Sequence, residues 1–126
     1  MNLRSIKDLL DAEVLVGEDR LDDIEVKTAF VADLMSDVLA FATPGSLLIT
    51  GLPNPQVVRT ADVLDIAAII LGRGKKLTRE TVQLAKELNI PVLSTNYILF
   101  EICGRLYAKG VRSCIEKVGS NKRHFG

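Results

Sequence analysis

The sequence has no tryptophan, one histidine and two cysteines among its 126 residues. Cys103 and Cys114 have neither CxxC nor metal-ligand spacing, so neither a zinc site nor a disulfide framework is predicted. His124 lies in a polar segment without a serine or cysteine beside it to activate, and no GxSxG or HExxH motif occurs. The sequence therefore predicts no catalytic residues, no metal, no cofactor and no enzymatic activity.

The sequence also lacks a net charge and a long apolar run. It has 16 basic and 16 acidic residues, so a nucleic-acid partner is not expected. No run of about 18 apolar residues predicts a membrane helix, and a signal-peptide core is absent, so we expect a cytoplasmic protein without a membrane partner. Residues 1–63 carry 5 basic and 11 acidic groups, whereas residues 64–126 carry 11 and 5. The later part therefore either creates a local positive field or spreads its charge over a solvated surface.

Short apolar runs alternate with helical patterns along most of the chain, and 48% of the residues are hydrophobic. The continuous runs at 46–50 and 67–71 are typical of strands covered on both faces. Short connections and right-handed crossovers favour a three-layer α/β fold of Rossmann-like type, with a mostly parallel sheet between helices. The predicted strands are 13–17, 24–31, 46–50, 67–71 and 91–95, and the predicted helices are 3–11, 34–42, one from 55, one after 78, and one ending at 110.

Four polar residues are predicted to cap these helices at their N-termini, since short polar side chains accept from the first-turn amides. Pro55 suits the first helical position, where its missing N–H costs nothing. After the last helix the chain is polar and weakly periodic. We expect one domain over residues 1–110 and an irregular basic tail over 111–126. The predicted caps are Asp33, Asn54, Thr78 and Asn96.

Two glycine-containing turns follow predicted strands and precede predicted helices. They are Thr50–Pro55 and Gly72–Lys76, and in open α/β sheets such turns face the ligand crevice. Helix starts and glycine turns favour anions, and Arg59 stands one turn into the helix after the first turn. The second turn fails the GxxxxGK[ST] pattern, so it does not predict ATP hydrolysis by that mechanism. Either turn could instead be a simple helix start or a solvated basic loop.

The last helix is apolar over about two thirds of its circumference, whereas packing on one sheet uses a stripe of only about 100–140°. Gly104 in its middle costs about 1 kcal/mol relative to alanine, which close approach of a second helix would offset. We therefore predict a homodimer through this helix, with burial under the C-terminal tail as the alternative. The predicted interface residues are Tyr97, Phe100, Gly104 and Tyr107.

Residues 46–110 resemble the DRTGG domain and, more loosely, the amino-terminal domain of bacterial HPr kinase/phosphorylase. Segments 12–17 and 32–37 resemble the opening strand and second helix of that family, so the resemblance extends over roughly residues 1–110. The order and spacing of several short motifs carry it. These motifs are Leu48-Ile49-Thr50-Gly51, Ala68-Ile69-Ile70-Leu71-Gly72-Arg73-Gly74, Glu80–Leu88, Ile90-Pro91-Val92-Leu93-Ser94-Thr95 and Phe100–Tyr107.

The resemblance implies an α/β domain without catalysis of its own. Such domains accompany CBS pairs in regulatory pyrophosphatases, phosphotransacetylases and the kinase core of HPr kinase. Kinase activity is not expected here, because no kinase domain follows. Two signature segments differ: Leu52-Pro53 replaces the family's Asp-Arg, and Gly72-Arg73-Gly74 stands in place of its Thr-Gly-Gly.

The residues and the resemblance together suggest a regulatory sensor that binds a small anionic, nucleotide-like ligand where backbone amides and cations face a shared hollow at the strand ends. The alternative is a ligand-free interaction subunit that docks on a larger enzyme. The predicted ligand-binding residues are Thr50, Gly51, Asn54, Gln56, Arg59, Arg73, Gly74 and Thr95.

Overall fold

Six short strands form one sheet in the computed structural model, which describes residues 1–119. Their order across the sheet is β1-β5-β4-β3-β2-β6. β1 is antiparallel to β5, and every other neighbouring pair is parallel. The strands are β1 (Glu13–Val16), β2 (Thr28–Val31), β3 (Leu47–Thr50), β4 (Ala68–Leu71), β5 (Val92–Ser94) and β6 (Arg112–Ser113).

Helices cover both faces of the sheet. Those between β2 and β5 pack on one face, while the first and last helices pack on the other. Within residues 1–119, no helix combines the length and apolar character needed to cross a bilayer. The helices are α1 (Leu3–Leu9), α2 (Met35–Phe41), α3 (Pro55–Val63), α4 (Arg79–Glu87) and α5 (Leu99–Ala108), with a 3₁₀ turn at Glu18–Arg20.

The central strands bury both of their faces. In β3, Leu47 and Ile49 join the cluster that contains α1 and α5, whereas Leu48 joins the cluster of α2, α3 and α4. This alternation follows from the two-residue period of a strand. The predicted three-layer α/β fold with a mostly parallel sheet is therefore confirmed.

The predicted strand over 24–31 is shorter in the structure. Only Thr28–Val31 pairs within the sheet, parallel to β3. The preceding residues instead lie along the N-terminus: Asn2 bridges Glu25, and the Val26 amide donates to the Met1 carbonyl at 2.8 Å. A competing backbone partner therefore overrides the alternating pattern.

The segment after residue 110 is not wholly irregular, so that prediction is wrong at its beginning. Arg112–Ser113 forms β6, which pairs in parallel with Thr28 and Ala29 of β2. α5 thus carries the chain across the sheet to the edge opposite β1. His124 and the rest of 120–126 lie outside the described residues.

Two of the four predicted caps are confirmed. Asn54 accepts from the Val57 amide at 3.1 Å, and Thr78 accepts from the Thr81 amide at 3.2 Å. Asp33 and Asn96 do not cap helices, because α2 and α5 begin after Leu34 and Ile98, and neither residue makes a side-chain cap bond. Both side chains lie instead beside neighbouring turns at the strand ends.

Replacement of Ile70 by alanine should lower the free energy of unfolding by about 2–5 kcal/mol, because it leaves a cavity in a core strand. Ile70 is 0% exposed in the middle of β4, whereas Val63 is 74% exposed at the end of α3. Urea denaturation of Ile70→Ala and of the control Val63→Ala measures the difference. Equal losses in both variants would contradict the described core.

Candidate functional site

The carboxyl ends of four parallel strands meet at one edge of the sheet. β2, β3, β4 and β5 are neighbours with a common direction, so the residues that follow them share that edge. We call this edge the carboxyl rim, which consists of residues 32–33, 51–54, 72–76 and 95–97. Ligands of open α/β sheets bind at such edges.

Asp33 fixes the turn that follows β3. Its Oδ1 accepts from the Thr50 hydroxyl at 3.0 Å and from the Gly51 amide at 2.8 Å. Thr50 is fully buried, and its Oγ1 in turn accepts from the Leu52 amide at 3.2 Å. This role of Asp33 differs from the predicted one, since an aspartate before a helical pattern predicts a cap. The sequence does indicate its neighbourhood: Asp33 follows β2, and in a parallel sheet the residue after β2 lies beside the residue after β3.

Arg73 folds over this turn. A Cβ built on Gly51 would collide with the Arg73 guanidinium, so the absence of a side chain at position 51 makes room for the arginine. The Arg73 backbone has φ of +59°, and Gly74 follows with φ of +67°. A non-glycine residue in this left-handed region costs of order 1 kcal/mol, and such strain is concentrated at functional sites.

The first four amides of the turn after β4 have partners within the protein. Gly72 donates to the Thr50 carbonyl at 3.0 Å, Arg73 to Tyr97 at 2.9 Å, Gly74 to Thr95 at 2.8 Å, and Lys75 to Gly72 at 3.2 Å. These four amides are therefore not free to bind a ligand, contrary to the expectation that backbone amides face a shared hollow. Any anion here would be held by side chains, chiefly by the arginine.

The rim carries three basic side chains and one carboxylate, that of Asp33, so its net charge is positive. Lys76 pairs with Glu13. Within residues 1–119, by contrast, Arg73 and Lys75 form no ion pair. Both are exposed and lie in one turn. In the same part of the chain, no three side chains of metal-binding type lie close enough to hold a metal ion.

The remaining predicted ligand residues are not brought to one point. Asn54 caps α3, and Gln56 is exposed in its first turn. Arg59 lines a groove of about 510 Å³ between α3 and α4, together with Arg79. The structure therefore joins Thr50, Gly51 and Arg73 and places Arg59 in a flanking groove.

Thr95 has a structural role. Its hydroxyl donates to the Leu10 carbonyl at 2.6 Å and accepts from the Tyr97 amide at 3.3 Å. The residue is only 3% exposed. It links β5 to the end of α1, so its hydroxyl is engaged within the protein.

The outer face of α5 carries large exposed apolar side chains. Phe100 is 85% exposed and Tyr107 62% exposed, and a Cβ at Gly104 would meet nothing within 4 Å. Tyr97, which was predicted to belong to the same interface, is half-buried, with the Arg105 guanidinium 4.2 Å from its ring centre.

An apolar groove of about 230 Å³, which we call the α5 groove, lies between the second half of α5 and the β2–β6 edge. Burial raises the pKa of the Cys103 thiol in its wall, so that group stays neutral at physiological pH and the groove keeps its apolar character. The lining residues are Ala29, Phe30, Val31, Ile49, Cys103, Leu106, Tyr107, Val111, Arg112 and Ser113.

Comparison with known proteins gives a family and a fold. The family model described as the DRTGG domain matches residues 5–108. No curated protein matches the sequence significantly. A similar solved structure contains the CBS and DRTGG domains of the regulatory region of Clostridium perfringens pyrophosphatase, complexed with its activator diadenosine tetraphosphate. It superposes with a TM-score of 0.70 at 24% identity, over 94% of this chain and 51% of that chain. The chain thus spans about half the length of that relative.

Replacement of Thr95 by valine should lower the free energy of unfolding by about 1–3 kcal/mol, since it leaves the Leu10 carbonyl without its buried donor. Thr95→Ser keeps the hydroxyl and should lose no more than about 1 kcal/mol. Urea denaturation compares the two variants. Equal losses would show that the hydroxyl does not hold β5 to α1.

Proposed function

The chain belongs to the DRTGG domain family, and we propose that it is a non-catalytic regulatory domain which binds a small anionic ligand at the carboxyl rim and forms a homodimer. The observation that carries the proposal is the Arg73 guanidinium lying over Gly51, beside the Asp33-bound turn. The pyrophosphatase regulatory region of the same fold, crystallised with a nucleotide activator, supports a nucleotide-like ligand.

Arg73 supplies the main attraction for the ligand. A planar guanidinium donates two parallel hydrogen bonds to a phosphate or carboxylate, which a point charge such as lysine cannot match. Arg73 has no ion-pair partner among residues 1–119 that an incoming anion would have to displace. Its long side chain can lift from Gly51 and close on the anion.

Asp33 gives the site a second kind of contact. Within residues 1–119 both hydrogen bonds of the carboxylate use Oδ1, so Oδ2 is left to accept from a ligand hydroxyl. A carboxylate next to a phosphate-binding turn recognises ribose hydroxyls in dinucleotide folds. An arginine and a carboxylate at adjacent strand ends therefore favour a sugar phosphate or nucleotide over a simple anion.

The other predicted residues take supporting parts in the proposed site. Thr50 and Gly51 shape the floor beneath the arginine, and Gly74 lets the turn approach Asn96. Asn54 and Gln56 stand at the start of α3, where the helix dipole favours negative charge. Arg59 lies in the α3–α4 groove beside Arg79, Glu80 and Glu87 and would meet only a longer ligand.

A second candidate function is a ligand-free subunit that docks on a larger enzyme. The exposed apolar face of α5 favours it, because such faces mark interaction sites. A stoichiometric protein partner recovered from the native host, together with no response to any small anion, would favour this candidate over the sensor.

Replacement of Arg73 by glycine should abolish ligand binding without loss of stability. Glycine adopts the +59° φ freely, so the unfolding free energy should stay within about 1 kcal/mol of the parent. A ligand at 100 times its dissociation constant adds about 2.7 kcal/mol to the parent's stability. Thermal shift with diadenosine tetraphosphate, ATP and sugar phosphates, followed by calorimetric titration of any hit, measures both effects.

The control is Lys27→Ala, which removes one exposed positive charge just before β2, at the opposite edge of the sheet. Lys27→Ala should bind any nucleotide or sugar phosphate that the parent binds, with the same dissociation constant. If Arg73→Gly and Lys27→Ala weaken binding equally, the attraction is a general charge effect and the rim is not the site. No response of the parent to any probe would contradict the sensor proposal itself.

A further inference from the structure

One row of residues along the outer face of α5 combines a large side chain with small ones. Phe100, Gly104 and Ala108 are four residues apart and therefore lie on one side of the helix. All three are exposed, and the space above Gly104 is open. At Gly104 such a helix can approach a second helix closely, while the Phe100 side chain extends from one end of the row toward that second helix.

Twofold symmetry makes this row complementary to itself. In a twofold dimer the same patch faces its copy, so each contact occurs twice. If two α5 helices cross antiparallel at Gly104, Phe100 of one protomer lies opposite Ala108 of the partner. The large side chain thus meets the small one on both sides of the axis.

The helix pair alone is too small for a stable interface. Ten residues of helix are about 15 Å long, whereas stable interfaces bury about 800 Å² from each partner. The interface must therefore extend beside the helix, and the α5 groove lies there, along its second half. Its volume of about 230 Å³ is below the roughly 300–1,000 Å³ of small-molecule pockets and suits one inserted side chain.

The charged side chain next to the crossing, Arg105, is paired within its own protomer. Arg105 pairs with Glu101 at 2.9 Å, and the Arg112 guanidinium lies 4.1 Å from the centre of the Tyr107 ring. The middle of the crossing therefore brings no uncompensated charge, whereas Arg112, which has no carboxylate partner among residues 1–119, lies at the wall of the α5 groove. Apolar contacts would dominate there, as in the cores of homodimer interfaces.

We infer that the homodimer forms by antiparallel crossing of two α5 helices at Gly104, with Phe100 of each protomer inserted into the α5 groove of its partner. The inference rests on the dimeric part of the proposed function and specifies its partner surface. It is independent of the ligand at the rim, since neither Phe100 nor Gly104 belongs to that site.

Sedimentation equilibrium of the full chain, together with Phe100→Lys and the control Val63→Lys, tests the surface. Both positions are exposed, so both variants should fold. Phe100→Lys should raise the dimer dissociation constant by about 30-fold or more, the change that a hot-spot loss of about 2 kcal/mol gives. Val63→Lys, on α3, should dimerise like the parent.

Oxidative cross-linking tests the antiparallel register. Gly104→Cys should form a disulfide between two copies, because the axis brings the two positions within the 4.4–6.8 Å Cα separation that a disulfide spans. The parent chain, which keeps Cys103 and Cys114, is the control and should not cross-link.

A dimer that persists in Phe100→Lys, or a Gly104→Cys chain that does not cross-link, overturns the inference and leaves the ligand proposal standing. A parent chain that is monomeric at tens of micromolar overturns both the inference and the dimeric part of the proposed function. Calorimetric titration of the same sample then decides the ligand part separately.

Discussion

Two backbone hydrogen bonds join the turn after β4 to the segment after β5, and the part of the rim that carries Arg73 depends on them. The amides of Arg73 and Gly74 donate to the carbonyls of Tyr97 and Thr95 at 2.9 and 2.8 Å. They satisfy polar groups that would otherwise be costly to bury, and they hold Arg73 above Gly51.

Gly72 has no side chain because a Cβ at this position would collide with α5. A Cβ at this position would lie 2.8 Å from Leu99 Cδ2 and 3.1 Å from Ile102 Cδ1, so the turn packs directly on the first residues of α5. The turn that carries the arginine and the helix that carries Phe100 therefore form one packed unit. Under the proposed function, a ligand that displaces Arg73 acts on a turn that contacts α5. If ligand binding changes the dimer dissociation constant, dimerisation must change the ligand dissociation constant by the same factor.

The fold was predictable because its signals are local. The apolar runs of β3 and β4 indicate strands buried on both faces, and Asn54 and Thr78 cap helices through bonds to amides three residues away. β6 was not predictable from its own residues, since Arg112 and Ser113 are polar and exposed and become a strand only by pairing with β2. A two-residue strand has too little pattern to be recognised without its partner.

The candidate site was predictable only in part, for a similar reason. Parallel strands place Gly51 and Arg73 at one edge, which the sequence pattern indicates. The roles of Asp33 and Thr95 depend on contacts across 17 and 85 residues of chain, which no local pattern reports. Both are residue types that commonly end or cap elements, so local chemistry favoured the simpler interpretation.

The most direct test of the account is a nuclear magnetic resonance titration of the uniformly ¹⁵N-labelled full chain with diadenosine tetraphosphate and, separately, ATP. The account predicts that the largest amide shift changes fall on Gly51, Arg73 and Gly74 and saturate with added nucleotide. No saturable change, or changes confined to residues away from the carboxyl rim, would contradict it.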